Sequence, residues 1–268
     1  MNPAPLRYHR ATSVDDALEA LAEPDAKALA GGMSLLPVLK LRIARPTLVV
    51  DIGRLELTGI ERSNGSLAIG ALTTWDALAR ADELHGIGLD AIGECAAGIG
   101  DLPVRNRGTI GGSLAHADPA SDMPAVALAL GMELELRSPE GERLIAAHDF
   151  VLGPFTTALG EQELATAIRV PVPPPGSGSA YASVEHPASG FALAGAAALV
   201  RPDGGTSVAV TGVGARPTLI DVNDDAAIDG IEVFGDRFAG EAYRRHLVRV
   251  VVRRALDNAR ARAQGRAS

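Results

Sequence analysis

The chain has 268 residues, 47% hydrophobic and 3% aromatic, with a formal net charge of −8 and a single cysteine. That length accommodates two or three domains with a sizeable core, and the composition is too apolar for a disordered protein. The acid surplus argues against nucleic acid and anionic lipid as partners, the shortage of aromatics argues against base stacking, and one cysteine, Cys95, supports neither an internal disulfide nor an iron–sulfur cluster, which takes about four ligands.

The opening "MNPAPLRYHRATS" lacks the apolar stretch of a signal peptide. No apolar run approaches the ~20 residues of a membrane helix, so a soluble cytoplasmic protein with no membrane partner is expected. "TSVDDALEALAEP" then starts a helix. Ser13 caps it, Asp15 and Asp16 fall in the first turn, and Val14, Ala17, Leu18 and Leu21 keep the helical period until Pro24 stops it. Residues 27–30 read as a strand broken by Gly31 and Gly32. Ser34 is positioned to cap a helix over about 35–44, and "TLVVDI" (47–52) reads as a further strand. "GSLAIGAL" (65–72) is a strand followed by a helix to about Ala81, capped by Thr73 or Thr74, and 89–99 reads as a helix of small residues.

A polar loop, "GDLPVRNRG", leads into "TIGGSLAHADPASD", and "SDMPAVALALGM" starts another helix with proline in its first turn. "ELELRSPEGERLI" reads as a hairpin turning at Pro139–Gly141. "VPVPPPGSGSA" (170–180) has linker composition. Beyond it, "FALAGAAALV" and "TSVAVTGVGA" read as paired strands. A long final helix carries an apolar stripe of Val248, Val251, Val252, Ala255 and Ala259, with arginines over the rest as a solvated face or a dock for an acidic partner.

Two glycine pairs, "AGGMS" and "TIGGS", suit backbone chemistry. Glycine lets a ligand approach the main chain and permits positive φ, successive free N–H groups form an anion-binding concavity, and a following helix adds its dipole. "AGGMS" meets the last condition directly; the helix after "TIGGS" is expected several residues later. Neither pair matches G-x-G-x-x-G or the P-loop pattern, and a glycine pair on its own is more often a tight turn than a phosphate site. "TGVGARP" fails as a Rossmann start because its sixth position is Pro217. The six histidines show no metal spacing. His116 reads as a backbone-positioning residue, Cys95 as a packed thiol and Trp75 as core. No metal site and no side-chain acid, base or nucleophile is expected.

Taken together, "LAGGMSLLPVLKLRIARPTLVVDI", "VRNRGTIGGSLAHADPASDMPAVALAL", "PAPLRYHRATSVDDAL", "PFTTAL", "EHPASGFALAGAAA" and "EAYRRHLVRVVVRRAL" resemble the FAD-binding medium subunit of molybdenum hydroxylases, the carbon monoxide dehydrogenase and xanthine dehydrogenase group. The resemblance spans nearly the whole chain. It implies an α+β fold: a two-subdomain FAD-binding region of the PCMH type over residues 1–176 (subdomains about 1–57 and 58–176), then a small α+β C-terminal domain over 177–268.

The resemblance also implies FAD contacts at Leu29, Ala30, Gly31, Gly32, Met33, Ser34, Leu35 and Leu36 in the first loop, and at Thr109, Ile110, Gly111, Gly112 and Ser113 in the second. Asp122 matches a ribityl or ribose contact, and Asp118 is the weaker of the two acidic candidates. Ile99 matches a position near the adenine, and Ala165 a backbone contact. Two departures stand out: Met33 replaces a usual Gln or His, and Ser183 stands where many relatives carry a lysine close to the flavin.

The implied role is electron transfer in a complex with a large molybdopterin subunit and a small subunit holding two [2Fe–2S] clusters, arranged as a dimer of heterotrimers. Three other readings compete with it. They are a stand-alone flavin oxidoreductase of the same superfamily, a scaffold subunit that has lost FAD, and a nucleotide-binding regulator.

Overall fold

In a computed structural model, which describes residues 2–63, 65–224 and 226–265, the N-terminal stretch alternates strand and helix: β1 (Arg7–Arg10), α1 (Val14–Leu21), β2 (Lys27–Leu29), α2 (Leu35–Lys40) and β3 (Leu48–Asp51). The three strands form a parallel sheet in the order β1-β3-β2. Ser13 caps α1 as its position predicts, accepting from the Asp16 amide at 3.1 Å. α1 lays Ala17, Leu18 and Leu21 against Leu48 and Val50 in a small core. α2 ends sooner than the apolar pattern suggests, because Arg42 takes a left-handed φ of 59°. Ser34 has helical dihedrals and makes no side-chain cap.

The middle of the chain runs β4 (Ile60–Ser63), β5 (Ser66–Gly70), α3 (Trp75–Ala79), α4 (Asp90–Gly98), α5 (Leu102–Arg105), α6 (Ile110–His116), α7 (Met123–Ala129), β6 (Glu133–Ser138), β7 (Gly141–Ala146), α8 (Ala147–Phe150), β8 (Val151–Gly153), β9 (Thr156–Thr157) and β10 (Leu164–Pro171). Five of these strands pair antiparallel in the order β4-β5-β10-β6-β7. Alternate residues of β5 and β10, such as Leu67, Ile69, Ile168 and Val170, are buried. They meet Leu78, Ile92, Leu114 and Met123 of the helices in the largest core. Thr74 rather than Thr73 caps α3, accepting from the Ala77 amide at 3.3 Å.

The remainder is an antiparallel meander, β11 (Gly178–Glu185), β12 (Ala192–Val200), β13 (Thr206–Thr211) and β14 (Thr218–Ile220), followed by α9 (Ala227–Gly230) and α10 (Glu241–Ala263). β12 is sandwiched. Ala194, Ala196 and Ala198 face α10, whereas Ala197 and Leu199 face the core shared with α4 and α7. Its small side chains let the layers close: a Cβ at Gly178 of β11 would lie 2.3 Å from the Ala259 carbonyl oxygen of α10.

The apolar stripe of α10 is buried as its spacing predicts, but Arg244 departs from the solvated-arginine expectation. It is 7% exposed. Its guanidinium donates to the Leu193 carbonyl at 2.8 Å and the Gly212 carbonyl at 2.5 Å, and pairs with Asp236 at 2.6 Å. Among the described residues no helix is long and apolar enough to cross a membrane.

Candidate cofactor site

The two glycine pairs, about 80 residues apart in sequence, come together. Gly31 follows β2 and packs directly on the loop before α6, where a Cβ at Gly31 would lie 1.9 Å from the Arg107 carbonyl oxygen and 3.0 Å from Gly108 Cα. Gly32 has φ 78°, which suits a residue without a side chain. The contact builds a cleft walled by Gly31, Met33 and Ser34 on one side and by Thr109, Gly112 and Ser113 on another.

α6 begins inside the TIGG motif, not several residues beyond it. Thr109 is its cap, accepting from the Gly112 amide at 3.2 Å. The Ile110 amide donates to the Thr73 carbonyl at 3.1 Å, Gly111 to Ala71 at 2.9 Å and Ser113 to Thr109 at 3.0 Å. These amides are therefore committed within the protein. Gly111 serves packing as well, since a Cβ there would meet Ala71 Cβ at 2.6 Å.

The first loop differs. The Gly32 carbonyl accepts from Leu36 at 3.0 Å, but among the described residues the amides of Gly32, Met33 and Ser34 have no protein acceptor. The two motifs are thus unlike in chemistry. One leaves main-chain donors available, and the other supplies a closely packed wall.

Of the remaining sequence candidates, Ile99, Asp118 and Asp122 line the same cleft. Leu29, Ala30, Gly32, Leu35, Leu36, Ile110, Gly111 and Ala165 do not form its wall. Ala165 sits at an irregularity in the β10–β6 pairing. Asp118 accepts from the Ala120 amide at 2.9 Å, shaping the turn as well as facing the cleft. Ser183 pairs with Gly195 across the β11–β12 ladder and is not part of the wall. Among the described residues, the lining carries no lysine or arginine.

Several wall residues were not singled out as contacts by sequence reasoning. Trp75 is 3% exposed, as a core residue should be, yet it also lines the cleft beside Gly108. His116 lines the wall and packs, tilted, at 5.1 Å against Phe155, which has φ 53° and whose amide donates a hydrogen bond to the Ala117 carbonyl. Ser189, Gly190 and Phe191 enter from the β11–β12 connection. Only the segment "EHPASGFALAGAAA" hinted at them, and nothing in its spacing marks these residues individually.

Asp122 occupies the cap position of α7 but makes no cap bond. Its Oδ1 accepts from the Tyr181 hydroxyl instead. Burial, opposed by that bond and reinforced by Glu185, pushes its carboxyl up to about 6. Burial, with Asp122 and Cys95 nearby, pushes the Tyr181 phenol well above its usual range, so it remains a donor. Burial likewise raises the Cys95 thiol, in keeping with a packed cysteine.

The cleft combines glycines that admit a ligand to the main chain, the amides of Met33 and Ser34, hydroxyls of Ser34, Thr109, Ser113 and Ser121, and an aromatic wall, a set that suits a ligand with anionic groups. Residues 4–173 match the family described as the FAD binding domain in molybdopterin dehydrogenase. The chain is 37% identical over 288 residues to the carbon monoxide dehydrogenase medium chain of Afipia carboxidovorans, covering 98% of this chain and 100% of that one. It is 36% identical to the 6-hydroxypseudooxynicotine dehydrogenase complex subunit alpha of Paenarthrobacter nicotinovorans, covering 98% and 97%. In structure it superposes on a chain of Cu,Mo-CO dehydrogenase with a TM-score of 0.90 at 37% identity, covering 98% and 100% of the two chains. Quinoline 2-oxidoreductase from Pseudomonas putida 86 gives 0.88 at 29% identity, with 99% coverage of each. The chain belongs to this family of molybdopterin-dehydrogenase flavoproteins; it is an FAD-binding oxidoreductase subunit.

Proposed function

We propose that the chain carries FAD as the electron-transfer subunit of a molybdenum hydroxylase complex, receiving electrons from [2Fe–2S] clusters on a small partner and passing them to an external acceptor. A large partner holds the molybdopterin, and two such heterotrimers associate. The proposed division of the chain is an FAD-binding region over 1–176 and a C-terminal domain over 177–268.

The observation that carries the reading is the cleft where the two glycine loops touch. Bound FAD supplies the redox chemistry. The chain's residues bind and orient it. The amides of Met33 and Ser34, which line the cleft, would face the negative charge of the pyrophosphate, with Thr109, Gly112 and Ser113 as the opposing wall. Asp122 would accept from a sugar or ribityl hydroxyl, and Ile99 and Trp75 would give apolar surface that excludes water. Among the described residues no lysine or arginine lines the cleft, so main-chain dipoles would hold the pyrophosphate.

The test is the visible spectrum of the purified chain after incubation with FAD and gel filtration. Retained flavin bands, with one FAD per chain released on denaturation, are expected. A colourless chain at saturating FAD refutes the cofactor reading. Isolation from its natural source without molybdenum- and iron-containing partners refutes the complex.

A further inference from the structure

The family match ends at residue 173, yet the cleft does not. Ser189, Gly190 and Phe191 line it from the β11–β12 connection, and Tyr181 of β11 reaches Asp122. We infer that Tyr181 is a positioning residue for the cofactor site: its hydroxyl holds the Asp122 carboxyl off the helix it would cap and at the cleft wall, so that residues beyond the matched domain set how tightly FAD is held. The inference rests on the reading of this cleft as the FAD site.

Three observations support it. First, an aspartate at a helix start ordinarily accepts from an amide of the first turn. Asp122 makes no such bond and gives Oδ1 to Tyr181, so the local stabilisation is forgone. Second, the chain makes room for the phenol. A Cβ at Gly195 of β12 would lie 2.2 Å from the Tyr181 oxygen. Third, Tyr181 is itself fixed. Its amide donates to Glu94 of α4 at 2.9 Å, and Glu94 is paired with Arg262 of α10. The loop bearing Asp122 is pinned to the same sheet, since Thr211 donates to the Ser121 carbonyl at 2.7 Å and Gly212 to Pro119 at 3.1 Å. Asp122 lines the cleft, where its carboxyl can accept from a ligand hydroxyl.

An acceptor for a hydroxyl works best ionised, so FAD affinity should follow the charge state of Asp122. The other titratable groups around the pair are Glu185 of β11, Glu94 and Cys95 of α4, and His116 and Asp118 in the cleft wall. The experiment measures the Kd of the full chain for FAD from pH 5 to 8. It is followed by quenching of Trp75, the single tryptophan, which lines the cleft.

For the unaltered chain, Kd should rise about tenfold per pH unit below a break near the carboxyl's own titration. Asp122→Asn should bind more weakly and flatten the profile, which separates this effect from His116. Tyr181→Phe should weaken binding about tenfold at neutral pH and move the break to higher pH, because the carboxylate has lost a donor. Gly195→Ala, which displaces the phenol without removing it, should move the break the same way. Circular dichroism verifies that each variant is folded.

A break unmoved in Tyr181→Phe and Gly195→Ala overturns the inference, even if Kd rises evenly at every pH, because that is what a purely structural role gives. An unaltered chain that takes up no FAD refutes the cofactor reading and the inference with it.

Discussion

Replacing Asp122 with asparagine should stabilise the cofactor-free chain at neutral pH while weakening its grip on FAD. The carboxyl titrates at about 6 in the fold against an ordinary 3.8. A carboxyl raised in this way favours the folded state while it is protonated. That contribution is fully present below the unfolded value and is lost as pH rises through about 6. Above both values the fold must hold a desolvated carboxylate. At ~1.4 kcal/mol per pH unit between the two titrations, the penalty comes to roughly 3 kcal/mol. Asparagine has nearly the same shape, keeps an oxygen for the Tyr181 hydroxyl and escapes the penalty. Thermal melting of the apo chain should therefore show Asp122→Asn raised by about 6 °C at pH 7.5, at ~2 °C per kcal/mol for a chain of this size. The gain should vanish near pH 4. An equal shift at both pH values, or destabilisation at neutral pH, would refute the reasoning, because either result means that the carboxylate is not stripped of water as described.

Gly112→Val should abolish FAD retention at a modest cost in stability, about 1 kcal/mol for the disturbed Thr109 cap, read by absorbance and melting together. Gly111→Val should instead lower the melting temperature markedly, because its Cβ meets Ala71 at 2.6 Å, and overpacking costs ~1–3 kcal/mol or more. Adding FAD to the apo chain should quench the emission of Trp75, and Trp75→Phe should remove that signal without removing flavin retention. Arg244→Ala should cost about 1–3 kcal/mol for each carbonyl left without its donor, seen as a lower denaturation midpoint. It strips the donors from the Leu193 and Gly212 carbonyls and leaves Asp236 without its cation.

What was legible in the sequence was whatever local chemistry dictates. The Ser13 cap, the β6–β7 hairpin with its turn at Pro139–Gly141, and the stripe of α10 follow from capping, turn residues and periodicity, and the structure has them. The helix start inside TIGG was not legible, because two glycines in a row argue against a helix. It forms because Thr109 caps it and because Ala71 and Thr73 accept its first amides, partners about 40 residues away that no local pattern reveals. Arg244 was hidden for a related reason. Its buried partners are carbonyls at a strand end and a turn, and carbonyls leave no mark in a sequence. Pairing Asp122 with Tyr181 required the fold as well, since 59 residues separate them.

The alanine layer of β12 has a consequence for how this molecule can change. Alanine has no rotamers to lose, so ordering this strand costs backbone entropy and almost no side-chain entropy. It also has no rotamers to offer. A core of leucines absorbs an added methyl by turning a neighbouring side chain, whereas a layer of alanines between α10 on one face and α4 and α7 on the other can respond only by moving a whole helix. Substitutions along Ala194–Ala198 should therefore act at a distance. They would change the spacing between the C-terminal helix and the helix that carries Asp122 at its start, and the strand would serve as a shim whose thickness is set one methyl group at a time.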